Sequence, residues 1–245
     1  MKKIYVVGIG PGNKDNMTFK AVNILEKASY IIGYKKYTEQ IKCWLPEKNY
    51  IESSMKDEIK RCQHALNLCN EGKTVALISG GDANIYGMAG LIHEVIIKTD
   101  SKVDIEVVPG VSALNACAAM LGAPITNDFV AISLSDLLTP IDLILQRIKF
   151  AAMGDFVICL YNPRSKGRPD NLKIAVKILL ENKSVSTPVG IVKNAFRENS
   201  KIQITTLGNI DYSSIDMNCT VIIGSSVSYI FNNKIITPRG YVFND

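Results

Sequence analysis

The apolar residues of this chain fall into two patterns. One is a short run closed by glycine, proline or a polar cluster: Ile4 to Ile9, Tyr30 to Ile32, Val75 to Ile78, Ile105 to Val108, Val130 to Leu134, Phe156 to Leu160, Val189 to Val192, Ile202 to Leu207 and Thr220 to Ile223. Runs of this length are too short for helices and read as strands. The other pattern recurs at helical spacing: Met17 to Ala28, Lys56 to Asn70, Tyr86 to Lys98, Asn115 to Leu121, Pro140 to Ala152 and Asn171 to Leu180. In the first of these, Phe19, Val22, Leu25 and Ala28 share one face, and Asp15 or Asn16 can cap its start. Gly72 suits the residue just past a helix end, and Pro169-Asp170 suit a helix start. Strand and helix alternate, which predicts an α/β fold. The segment joining the last two strands has no strong helical signal, so those two are expected to pair antiparallel.

The strand ends concentrate the unusual residues. After Val75 to Ile78 comes Ser79-Gly80-Gly81-Asp82. Glycine there permits positive φ and close approach of a ligand to the backbone. Ligands of open α/β sheets gather outside the carboxyl ends of strands. Asp82 has two readings: a carboxylate facing that space, or the N-cap of the following helix. Three further loops stand at strand ends: Gly8 to Gly12, Pro109 to Ala113 and Tyr161 to Arg168. The first is not a dinucleotide fingerprint, because Asn13 stands where the third glycine belongs. The second strand ends in Gly33-Tyr34, with no acid for a ribose hydroxyl. A nicotinamide dehydrogenase is therefore disfavoured.

The 245 residues, 47% of them hydrophobic, suit one large or two small domains. A boundary is expected at about residue 112, giving α/β domains over 1–112 and 113–245. The net charge of +5 permits an anionic small molecule, but no Lys/Arg block points to nucleic acid. No apolar run approaches the roughly 18 residues of a membrane span. Met1 to Gly8 reads as a first strand and not a signal peptide, so a cytoplasmic location is expected. The six cysteines form no C-x-x-C pair and read as reduced packing residues. His64 and His93 are lone histidines in helical patterns, and no protein metal site is expected.

Taken together, the four loops resemble those of the tetrapyrrole methylase family, over essentially the whole chain. Gly8-Ile9-Gly10-Pro11-Gly12, Gly80-Gly81-Asp82 and Pro109-Gly110-Val111-Ser112-Ala113 carry the likeness. The stretches from Gly81 to Ala89, Ile132 to Pro140, Tyr161 to Arg168 and Ile236 to Tyr241 resemble its precorrin-3B C17-methyltransferase branch. The resemblance implies two α/β domains with a cofactor cleft between them, in a homodimer. It implies S-adenosyl-L-methionine as cofactor, S-adenosyl-L-homocysteine as product, and a corrinoid precursor as substrate, with cobalt present only inside that substrate. Carbon 17 would be methylated with contraction of the ring.

By the same resemblance, cofactor contacts fall at Pro11, Gly80, Gly81, Asp82, Ile85, Ser112, Ala113, Asn162 and Ala195. Asn162 stands where several relatives have methionine, Ala195 where others have glycine, and Asn84 where the branch has glycine. Methyl transfer from an activated donor needs placement rather than a protein nucleophile. Ring contraction needs an acid or base, for which Asp136, Ser135 and Tyr34 are the candidates. Asp136 could instead cap the helix near Pro140. Arg164, Arg168 and Arg239 are candidate partners for substrate carboxylates, while Lys166 reads as solvated. Methylation of another ring carbon, or a non-catalytic homologue that retains the cofactor, are the alternatives.

Overall fold

The computed structural model describes residues 2–242. The chain divides into two compact units, Met1–Ala113 and Leu114–Asp245. The first unit contains strands β1 (Lys3–Gly8), β2 (Tyr30–Tyr34), β3 (Asn49–Ser53), β4 (Val75–Ser79) and β5 (Asp104–Val108). Their order in the sheet is β3-β2-β4-β1-β5, and every pairing is parallel. All five residues of β4 are buried, as befits a central parallel strand covered on both faces. Helices α1 (Phe19–Lys27), α2 (Lys35–Lys42), α3 (Glu58–Asn70) and α4 (Ala89–Lys98) provide the cover. One core gathers Ile4, Val6, Ile32 and Leu77 with Cys62, Leu66 and Ile92. The other gathers Val7, Ile31, Ala76 and Ile78 with Ala21, Leu25 and Ile41.

Helix α5 (Ala113–Leu121) begins at the division between the units. Next follow β6 (Gly122–Ala123), β7 (Phe129–Ser133), α6 (Ile141–Met153), β8 (Val157–Tyr161), α7 (Asn171–Leu179), β9 (Pro188–Lys193), β10 (Lys201–Thr206), β11 (Cys219–Ile223), β12 (Tyr229–Phe231) and β13 (Lys234–Ile236). The main sheet has the order β10-β9-β11-β8-β7. Strands β7 and β8 are parallel, and β11 is antiparallel to both of its neighbours, β8 and β9. Strands β7, β8 and β9 therefore run in one direction, and their carboxyl ends lie along one edge. A small second sheet pairs β12, β13 and β6.

Several local expectations change. Phe19 is 91% exposed, and Ala21 and Leu25 form the buried stripe of α1. The cap of α1 is Thr18, whose hydroxyl accepts from Ala21 N, not Asp15 or Asn16. Strands β10 and β11 do not pair with each other, because β9 lies between them and is antiparallel to both. Among the elements that the sequence pattern did not show, α2 buries only Thr38 and Ile41, too few to mark a stripe. Thr38 is held there by donating to Glu52 Oε1 of β3 at 2.5 Å.

Candidate functional site

Strands β4, β1 and β5 are neighbours, so their carboxyl-terminal loops emerge side by side. Those loops are stitched together by main chain. Gly10 and Gly81 exchange two hydrogen bonds, of 3.0 and 2.8 Å, and Ile9 N donates to Ser79 O at 2.9 Å. Asp82 joins the third loop, its Oδ2 accepting from Gly110 N at 2.9 Å while Oδ1 accepts from Asn84 N at 2.8 Å. Only bare backbone fits here. A Cβ on Gly110 would lie 2.2 Å from Gly81 O, and one on Gly8 would lie 2.7 Å from the same atom. Gly10 and Gly81 also adopt positive φ, 71° and 68°, where a side chain adds strain.

Asp82 is not a helix cap. Helix α4 starts seven residues later, at Ala89, with Met88 as its N-cap. The intervening turn is held by Ser79, whose buried hydroxyl accepts from Met88 N at 3.0 Å. Gly80 is bare for a different reason: a Cβ there would meet the Tyr37 ring at 2.6 Å. Tyr37 in turn packs edge-on against Tyr34, with ring centroids 5.4 Å apart. Pro11 and Ser112 are buried in this unit and Ile85 is 36% exposed, while Ala113 N lies 3.5 Å from the position of a Gly81 Cβ.

In the second unit, the loops after β7 and β8 form a second cluster. Asn162, at φ 51°, turns its side-chain amide to donate to Ser133 Oγ at 2.9 Å. Leu134 N donates to Tyr161 O at 2.9 Å, and Asn171 Nδ2 donates to Leu134 O at 2.9 Å. Arg168 lies across both loops. Its Nη1 donates to Ser135 Oγ at 2.6 Å and stands 3.6 Å from Asp136 Oδ1. The Arg168 side chain is only 11% exposed and its Nε is buried without a partner. Asp136 is an ion-pair partner and not a cap, since the N-cap of α6 is Pro140. Arg164 Nη1 donates to Tyr212 O at 2.6 Å, whereas Arg239 is exposed. Ala195 lies beyond β9, at the same sheet edge, packed against the core around Cys159 and Val192.

Sequence reasoning missed Ser79, Tyr37 and Tyr161 as organisers. The Tyr161 hydroxyl accepts from Leu114 N at 2.9 Å, which satisfies a donor in the first turn of α5. Each sits at a strand or helix terminus, a positional signal without a distinctive residue type. Among the described residues, no three His, Cys, Asp or Glu side chains form a group that could hold a metal ion, and no helix is long and apolar enough to cross a membrane.

The sequence profile of the Tetrapyrrole (Corrin/Porphyrin) Methylases matches residues 3–211, which span both clusters. The chain belongs to the tetrapyrrole methylase family. This methylase is 48% identical over 236 residues to the "Probable cobalt-factor III C(17)-methyltransferase" of Salmonella typhimurium, covering 96% of its own length and 98% of the relative. It is 37% identical over 246 residues to the "Precorrin-3B C(17)-methyltransferase" of Sinorhizobium sp, covering 97% and 96%. Its structure is similar to the crystal structure of the methyltransferase CobJ, with a TM-score of 0.92 at 30% identity over 97% of this chain and 100% of that one.

Proposed function

We propose that this methylase transfers the methyl group of S-adenosyl-L-methionine to carbon 17 of a corrinoid precursor of cobalamin, with ring contraction. The relative at 48% identity carries a cobalt-factor III name and the one at 37% a precorrin-3B name, which favours a cobalt-containing substrate. The observation that carries the cofactor reading is the close main-chain packing of three strand-end loops, where Gly8, Gly10, Gly81 and Gly110 meet and Asp82 fastens Gly110. Three loops pinned to one another by main chain form a rigid rim at the carboxyl ends of the strands, where ligands of open α/β sheets gather. When bound, the cofactor supplies a methyl group already activated on a positive sulfur.

What remains for the protein is placement. Pro11, Gly80, Gly81, Asp82, Ile85, Ser112 and Ala113 are proposed to contact the cofactor from the first unit, and Asn162 and Ala195 from the second. Asp82 acts by fixing loop shape, since both of its oxygens accept main-chain N–H groups. Asp136, Ser135 and Tyr34 are the proposed acid–base groups for ring contraction. Arg168 is a positioning residue for the first two of these. Arg239, being exposed, is the arginine best placed to meet a substrate carboxylate in solution. Arg164 is proposed to hold its loop through Tyr212 and to assist at the substrate from there.

A homodimer and a cytoplasmic location belong to the same reading. The location is supported by six free cysteines, with Cys43 exposed. Light scattering on the purified protein tests the dimer. The activity is tested by incubation with methyl-labelled S-adenosylmethionine and either cobalt-factor III or precorrin-3B. Mass spectrometry and carbon NMR then read methyl position and ring size. Label at carbon 17 of a contracted ring supports the proposal, and label at another carbon overturns it.

A further inference from the structure

A pocket of about 300 Å³ opens in the first unit between the ends of β2 and β3 and the start of α3, lined by none of the glycines described above. It is lined by Glu52, Ser53, Ser54, Asp57, Lys60, Arg61 and His64, with Ile32 and Ile51 at its base. Arg61 is 5% exposed. Its Nε donates to Ser53 Oγ at 2.7 Å, its Nη2 to Ser54 O at 3.0 Å, and its Nη1 reaches Met88 Sδ at 3.5 Å. These partners are a hydroxyl, a carbonyl and a thioether, all neutral. A guanidinium has five N–H donors, so two remain beyond these three bonds.

Both carboxylates that line the pocket have cationic partners other than Arg61. Glu52 Oε1 accepts from Lys42 at 2.8 Å and from Thr38 at 2.5 Å, and these two bonds hold its carboxyl below the usual range. Asp57 stands 3.5 Å from Lys60. Among the described residues no carboxylate lies within ion-pair distance of Arg61. A nearly buried cation without a counter-charge is costly, and an anion entering the pocket relieves that cost. Helix α3 starts beside the pocket; its N-cap Asp57 makes no side-chain capping bond, and Glu58 stands in its first turn.

We propose that the Arg61 pocket is a binding site for a single carboxylate, recognised by the two remaining guanidinium N–H groups. That carboxylate comes either from a small free anion or from the rim of the macrocyclic substrate. Only the second source rests on the function proposed above. Met88, whose Sδ Arg61 reaches, is also the N-cap of α4 and donates its N–H to Ser79 Oγ.

The test is an NMR titration of the intact wild-type chain, following the Arg61 Nε–H signal and the Met88 methyl. Sodium acetate and uroporphyrin III, a macrocyclic polycarboxylate, are the two probes, and sodium chloride at matched ionic strength is the control. A saturable shift of both signals with acetate establishes the site. Saturation at least 100-fold lower in concentration with uroporphyrin assigns the carboxylate to a macrocycle. Saturation with acetate alone assigns it to a free anion and leaves the proposed methylation to its own test. Arg61→Lys, which keeps the charge, is expected to weaken acetate binding about tenfold. If Arg61→Lys fails to fold, the wild-type titration still decides. No saturable shift with either probe, or the same drift with chloride, overturns the proposal.

Discussion

Asp82 and Gly110 are joined by a charge-assisted hydrogen bond of 2.9 Å between residues 28 positions apart in the chain. It ties the loop after β4 to the loop after β5, with the loop after β1 between them. The carboxylate is thus a fastener for three strands' worth of backbone.

Asp82→Asn tests that relationship. The amide retains one oxygen, but its NH2 faces either the Asn84 or the Gly110 N–H, a donor against a donor. A lost bond to a charged acceptor costs about 1.5–3 kcal/mol. S-adenosylhomocysteine affinity, measured by calorimetry, is expected to fall at least tenfold, with thermal stability reduced as well. Unchanged affinity would show that the loop holds its shape without the carboxylate.

The glycines offer a sharper contrast. Gly110→Ala places a Cβ 2.2 Å from Gly81 O and 2.6 Å from Gly8 O, both backbone atoms that cannot swing aside. Such overpacking costs about 1–3 kcal/mol or more, and cofactor binding is expected to be abolished. Gly90→Ala, near the start of α4, meets nothing within 4 Å. It is expected to stabilise the fold by about 0.4–1 kcal/mol. Urea unfolding of both variants checks the pair, and equal effects would refute the argument.

How far these features are legible in the sequence depends on how local they are. Val75 to Ile78 and the Gly80-Gly81-Asp82 turn are visible because a buried parallel strand is continuously apolar and its loop is glycine-rich. What Asp82 bonds to is not visible, because Gly110 lies on another strand and only the sheet order makes it a neighbour. Phe19 misled for a related reason. Helical spacing gives a stripe's period, but the direction of α1 against its sheet decides that Ala21 and Leu25 face inward. Strands β10 and β11 are legible as strands, but the pairing expected between them fails because insertion of β9 between them is a topological fact, not a local one. Arg61 is hidden among the lysines and glutamates of a polar helix start, and only burial sets it apart.

If Ser135 and Asp136 act as proposed, Arg168→Met is expected to lower turnover about 100-fold, the scale of misplaced reacting groups. It removes the bond to Ser135 and the ion pair to Asp136 together. Affinity for S-adenosylhomocysteine is expected to fall much less than kcat, because of the proposed cofactor contacts only Asn162 belongs to the two loops that Arg168 spans. Arg168→Lys, able to reach one partner at a time, should recover part of kcat. If cofactor affinity falls as far as kcat, Arg168 serves the fold and not the positioning of Ser135 and Asp136.

A pH-dependent part of the stability is built into the second unit at Asp155 and Lys183. The Lys183 side chain is 2% exposed, and its ammonium donates to Asp155 Oδ1 at 3.1 Å and to Gly224 O at 3.0 Å. Burial pushes the Asp155 carboxyl up, but the Ser226 hydroxyl and N–H and the Lys183 ammonium outweigh it and hold the carboxyl below its ordinary value of 3.8. A carboxylate depressed in the folded state contributes stability above its unfolded value and loses it as pH falls through the folded one. The contribution is therefore complete at neutral pH and lost progressively below about pH 4. Asp155→Asn leaves the buried ammonium without its counter-charge. At pH 7 that should cost about 2 kcal/mol, less than for a fully buried pair because Asp155 is 45% exposed. Urea unfolding from pH 7 to pH 3 should show wild type and variant converging as the acid is protonated. A gap that stays constant across that range would mean that the lost hydrogen bonds to Ser226, and not the charge of Asp155, account for the difference.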